Sequence, residues 1–141
     1  MFLAQLNWLA ILVSFVVVFI AGALWFGPKT FFPIWWKAMG RGADEAAGGS
    51  NMGLVFGASA LANFLQVVAL ASIIYFVQLA NTSFGALDGA LTGFLVGVFI
   101  AAGASLSHRL FAGHGFKVWL IECSSDVLNL TLAGIILGLW K

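Results

Sequence analysis

Glu122, Ser125, Asp126 and Asn129 lie in the stretch VWLIECSSDVLNLTLAGIILGLW, most of whose members are apolar. At about 100° per residue the four fall on one face of a helix. Two carboxylates, a hydroxyl and an amide on one face can pass a proton or coordinate a cation. The same groups can also serve as static hydrogen-bonding glue between helices. If the stretch crosses a bilayer from Lys117, a rise of about 1.5 Å per residue puts Glu122 roughly 7 Å in and Asp126 roughly 13 Å in. A charged carboxylate at the bilayer centre costs roughly 2.5–3.5 kcal/mol on insertion scales. The face is therefore expected to look into protein or water, or to carry its acids protonated.

Candidate partners come from the second apolar segment. Counted inward from Asn51, Asn63 and Gln66 lie roughly 18 and 22 Å deep, close to the level of Asp126 and Asn129. Glu122 is shallower, within reach of Lys117, Arg109 or a histidine of the loop before it. The functional reading is a proton- or cation-linked pathway, with Asp126 changing protonation state and Glu122 relaying to that loop. The alternative is an accessory or assembly subunit of a larger membrane complex.

Other chemistries have little to stand on. His108 and His114 are six residues apart, which is not the i, i+4 spacing of a helical metal pair. No HExxH, GxSxG or phosphate-cradling pattern occurs. No enzyme, metal or cofactor is expected. The single cysteine, Cys123, excludes an internal disulfide and reads as a small packing residue. A net charge of +1 with no basic stripe gives no footprint for nucleic acid.

The elements that would position these groups follow from composition. Only 8% of the 141 residues are charged and 62% are hydrophobic, against about 25% charged in soluble domains. Too little polar surface exists to cover a core in water, so the expected solvent is the lipid bilayer. About 20 apolar residues cross it as a helix, and four segments qualify, near residues 3–26, 51–79, 84–106 and 117–140. They are too long and too continuous for barrel strands. The expected fold is all-α, a single domain of four antiparallel transmembrane helices. The first segment lacks a basic leader and runs past the length of a signal-peptide core, so it reads as a retained span.

Between the first two spans lies GPKTFFPIWWKAMGRGADEAAGGS. Gly27-Pro28 ends the first helix. Phe31, Phe32, Trp35 and Trp36, interleaved with Lys29 and Lys37, suit the headgroup layer as a short interfacial helix. The stretch GADEAAGGS reads as a flexible linker. Five of the six Lys and Arg residues fall in the first and third loops, which places those loops in the cytoplasm and the termini outside, Lys141 weighing the other way. Trp8 and Trp25 bracket the first span as interface anchors. Asp88 suits a helix N-terminus, where negative charge is favoured.

Small residues recur at every fourth position of the third span: Gly85, Gly89, Gly93, Gly97, Ala101 and Ser105. Gly53 and Gly57 repeat the spacing in the second span, and Gly134 and Gly138 in the fourth. Helices in lipid associate by close packing, which small residues permit. The stripe predicts an intimate partner helix, in the same chain or in another copy, and hence self-association or docking in a larger complex.

The stretch NWLAILVSFVVVFIAGALWFGP, residues 7–28, and the closing AGIILGLWK resemble the bacterial membrane family Domain of Unknown Function 1761. By that resemblance Asn7, Trp8, Gly22, Trp25, Gly27 and Pro28 are signature positions. Ser124 and Ser125 stand where the family often has a Gly-Tyr-type element. The resemblance implies a four-span protein of the bacterial cytoplasmic membrane and no activity. Read physically, Asn7 can cap the first helix and Gly22 lets a neighbour approach.

Overall fold

The computed structural model describes residues 1–48 and 51–140. Gly49 and Ser50 of the expected linker, and Lys141, lie outside the described residues.

The described chain is helical. A 3-10 turn, Phe2–Gln5, precedes α1, Trp8–Trp25. The first helix thus begins later than the expected Leu3, because the Asn7 side chain accepts a hydrogen bond from the Ala10 amide at 3.0 Å and caps it there. A short α2, Phe32–Ala38, fills the aromatic part of the first loop, with Pro33 in its first turn where no donor is needed. Helix α3 covers Met52–Ala80. Helices α4, Ala86–Leu95, and α5, Gly103–Phe111, are joined by a π-helical stretch, Val96–Ala102. These three form one 26-residue rod, Ala86–Phe111, five residues longer at its end than expected. Helix α6 is Gly115–Leu139. Four of these units are long and apolar enough to cross a membrane.

The sixth helix is the hub. It touches α1, α2, α3, α4, the π stretch and α5, most extensively α4. The glycine stripe explains that preference. A Cβ placed on Gly89 would strike the backbone carbonyl of Gly134, and one on Gly93 the carbonyl of Leu130. A Cβ on Gly97 would come within 2.8 Å of Val127 Cα, and one on Gly138 within 2.5 Å of the Gly85 carbonyl. Residue numbers rise on one helix as they fall on the other. The glycines of the stripe are therefore met from within the chain.

Gly53 and Gly57 have a different fate. A Cβ at Gly57 would meet nothing within 4 Å, and one at Gly53 only its own cap, Asn51 Oδ1 at 3.7 Å. Every side chain from Asn51 to Ser59 is exposed, and the first buried residue of α3 is Val67. Among the described residues no partner helix meets Gly53 or Gly57. The sequence pattern reports smallness and is blind to whether a helix lies opposite.

The apolar core sits toward the other end of α3. Val67, Leu70 and Ile74 meet Leu6, Ile11 and Val18 of the first helix region and Leu130, Ala133 and Leu137 of α6. Phe84 closes it from the turn before α4.

Gly93→Ala forces two backbones apart, and overpacking of this kind costs about 1–3 kcal/mol or more. Gly57→Ala meets open space and replaces a poor helix former. Thermal unfolding in detergent should show a lowered midpoint for Gly93→Ala and an unchanged or raised one for Gly57→Ala. Equal behaviour of the two variants would contradict the α4–α6 contact.

Candidate functional site: the carboxylates of the hub helix

Glu122 is the best-connected ionisable group in the bundle. Arg109, in the last turn of α5, donates from Nε to Glu122 Oε2 at 2.6 Å. Trp35, from α2, donates its indole N–H to Glu122 Oε1 at 2.9 Å. Each carboxylate oxygen thus has its own donor, one of them charged, the arrangement that makes a hydrogen bond short and strong. Arg109 in turn lies 3.3 Å from His114 Nδ1. The Glu122 side chain is 16% exposed and that of Arg109 35%, so this pair is neither a solvated surface bridge nor a fully dry one.

Aromatic packing sets the position of Trp35. Its ring meets Phe26 edge-on at 5.4 Å and lies 5.7 Å from Trp36. Phe31 stacks on Trp25 at 4.3 Å, and Trp25 donates its own N–H to the Ile121 carbonyl at 3.1 Å. Trp25, expected as an interface anchor, thereby ties α1 to α6 one residue before Glu122. Trp36 bonds the Gly42 carbonyl and sits under the Arg41 guanidinium. Trp8 bonds the Leu3 carbonyl and fastens the 3-10 turn. Arg41 also pairs with Glu45 at 2.9 Å; with the Gly42 amide it holds that exposed carboxyl below its ordinary range.

One turn deeper the surroundings change. Asp126 is half-buried and makes no hydrogen bond or ion pair among the described residues. Ser125 beside it is buried. Asn129 is 8% exposed, its Oδ1 has no hydrogen-bond partner, and its amide nitrogen lies beside Gly22 of α1. Ser14, fully buried in the same helix as Gly22, likewise has an unpartnered hydroxyl. Buried polar groups without partners are uncommon and each calls for an explanation.

The expected partners from α3 are not there. Asn63 donates to the Ser59 carbonyl of its own helix at 2.9 Å, and Gln66 is exposed. Depth along the helix axis was matched, but rotation and helix splay were not legible from residue counting. Of the groups weighed for Glu122, Arg109 is the one that meets it, while Lys117 is exposed. Asp88 accepts from the Gly85 amide at 2.9 Å and caps α4. Cys123 is buried. Among the described residues no three His, Cys, Asp or Glu side chains gather to hold a metal.

Two features went unread in the sequence. Trp35 was legible as an aromatic belt residue, although a partly buried indole N–H needs an acceptor and Glu122 was the acceptor at hand. The π stretch left no trace in a uniformly apolar run. Its last carbonyl, Ala102 O, accepts from Trp119 Nε1 at 2.9 Å and from Ser105 Oγ at 3.1 Å, so α6 supplies a donor where the helix changes pitch.

Glu122→Gln removes the ion pair and strands Arg109. The expected loss is about 1–2 kcal/mol, between the values for exposed and for dry pairs. Thermal unfolding in detergent measures it, with Trp35→Phe expected to cost about 1 kcal/mol through its single hydrogen bond. Unchanged midpoints in both variants would mean that the Glu122 cluster does not hold α2 to the bundle.

A family model described as Protein of unknown function (DUF1761) matches residues 9–138, nearly the whole chain, and the chain belongs to that family. No curated protein and no solved structure matches it.

Proposed function

We propose that this family member is a small polytopic protein of the bacterial cytoplasmic membrane, with four antiparallel crossings, that moves protons or a cation along the acidic face of α6. Under this reading the first and third loops face the cytoplasm and the termini face outward. The contacts favour that grouping. The Glu122 cluster gathers α2 and the third loop at one end, while Tyr75 bonds Gln5 at the other.

The observation that carries the reading is the contrast between two carboxylates one turn apart. Glu122 is satisfied twice over, whereas Asp126 has no hydrogen-bond or ion-pair partner among the described residues. An unpaired carboxylate well inside an apolar helix is costly as an anion, and binding a proton or a cation removes the cost. Ser125 beside it and the open oxygen of Asn129 beyond it extend a polar line toward the bilayer midplane. Glu122, with Arg109 and His114 behind it, stands at the cytoplasmic mouth of that line. Asp126→Asn keeps the shape of the side chain and removes the titrating group. Proton-driven flux in proteoliposomes should fall at least tenfold while the unfolding midpoint holds. Flux equal to that of the unaltered protein would remove Asp126 from the pathway.

A second reading rests on a different observation, the uncovered first half of α3. Gly53 and Gly57 form a small-residue face that meets no other helix among the described residues, and small residues favour close helix approach in lipid. This face suits a docking surface for a second copy or for a larger membrane complex. Gly57→Leu should then abolish a disulfide cross-link between partners carrying cysteine at Gly53, while a cross-link that persists would count against the docking face.

A further inference from the structure

The close seam of the rod on α6 reaches Gly97, where an added Cβ would come within 2.8 Å of Val127 Cα. Past it lies the π stretch, a local geometry that recurs at functional sites, and beside that stretch a groove of ≈ 690 Å³ opens between the rod and α6. Gly103 lines the groove, and a Cβ there would meet nothing within 4 Å among the described residues.

The groove is long and narrow. Its wall runs from Leu106 back to Phe94 on the rod and from Trp119 to Thr131 on α6, about 18 Å on each helix at about 1.5 Å per residue. One leaflet's share of a hydrocarbon core about 30 Å thick is about 15 Å. Spread over that length, the volume leaves a cross-section of roughly 40 Å². A helix, about 10–12 Å across with its side chains, is too wide to enter. A chain of methylenes is not.

The surface suits hydrocarbon. Among the described residues no charged side chain lines the groove. Most of its polar side chains are already committed to backbone carbonyls. Trp119 Nε1 donates to Ala102 at 2.9 Å, the Thr131 hydroxyl to Val127 at 2.7 Å and the Cys123 thiol to Leu120 at 3.5 Å. An apolar occupant therefore strands none of these donors.

Charge enters at one end. Lys117, in the first turn of α6, shares a helical stripe with Ser124, Leu128 and Thr131 of the groove wall, which stand about two, three and four turns further on. It is exposed and forms no ion pair among the described residues. Arg109, by contrast, is held by Glu122. The long apolar stem of a lysine lets its ammonium reach the headgroup layer.

We propose that this groove holds one acyl chain of an anionic phospholipid from the leaflet on the Lys117 side, with the lipid phosphate paired to Lys117. The site rests on the reading that these helices span a bilayer. It does not rest on the proposed pathway, which follows a different face of α6.

The test uses the whole protein in nanodiscs, released into mild detergent and weighed by native mass spectrometry. The probes are dioleoyl phosphatidylglycerol and dioleoyl phosphatidylcholine. The expected result is one phosphatidylglycerol retained per chain, bound about fivefold tighter than phosphatidylcholine. Lys117→Gln should abolish that preference. Gly103→Leu fills the groove at a position with room for a side chain and should lower retention of both lipids at least tenfold. In the unaltered protein, phosphatidylglycerol spin-labelled near the ester should broaden the Trp119 indole N–H signal, saturating at one lipid per chain, a readout that does not depend on a variant folding. Equal retention by Gly103→Leu, a preference that survives Lys117→Gln, or broadening that rises without saturation overturns the proposal. So does a lipid-free dimer that Gly103→Leu breaks, which assigns the groove to a second copy. A chain that does not enter nanodiscs overturns the membrane reading, whereas one that enters and keeps no lipid overturns this site alone.

Discussion

The architecture depends on backbone meeting backbone between α4 and α6. At Gly89, Gly93, Gly134 and Gly138 the helices approach so closely that an added methyl group would strike main-chain atoms of the partner. Such an approach gains dispersion contacts along the whole seam, the main attraction available where the solvent is itself hydrocarbon. It also fixes the register and the rotation of α6. A helix locked on one face by glycines has no freedom to choose what its other faces present.

The polar residues of α6 inherit their surroundings from that lock. Glu122 is presented to α2 and to the end of α5, where an indole and a guanidinium await it. Asn129 is presented to Gly22 of α1, close enough for contact but without an acceptor or donor to complete it. Asp126, between them, falls beyond the reach of the groups that serve Glu122. The contrast between a satisfied and an unsatisfied carboxylate is a consequence of helix placement, since the two residues differ by a single methylene.

The sequence disclosed the class of this fold and a good part of its parts list. Four apolar runs, a Gly-Pro stop, an Asn cap and an aromatic segment between the first two helices all have local physical causes, and the corresponding elements are present. The run at 85–97 was legible as a close-packing face for the same reason. Its partner was not, because GxxxG spacing on three helices offers several pairings and only packing chooses among them. Gly53 and Gly57 carry the same spacing as Gly134 and Gly138 yet meet no other helix among the described residues. The acidic site was legible in its members and in part of its wiring, Arg109 having been one of the partners weighed for Glu122. Asn63 and Gln66 show where counting fails: axial depth follows from rise per residue, but whether α3 leans against α6 at that depth is a tertiary fact.

The two ends of the bundle therefore differ in kind. One gathers the ionisable groups around Glu122, and the other gathers the carboxamides of Gln5, Asn7, Gln78 and Asn81 around a cleft, with the α4–α6 seam holding them apart. That seam is the premise of every statement about α6. It is tested most directly by magic-angle-spinning NMR of the protein in lipid, with carbon-13 at glycine and threonine Cα positions. The account requires a short-range Gly93–Thr131 Cα cross-peak, since a Cβ on Gly93 would lie 3.1 Å from Thr131 Cα. If the assigned Gly93 and Thr131 resonances show no contact in the folded protein, α6 is turned or shifted from this placement and the account of its acidic face fails with it.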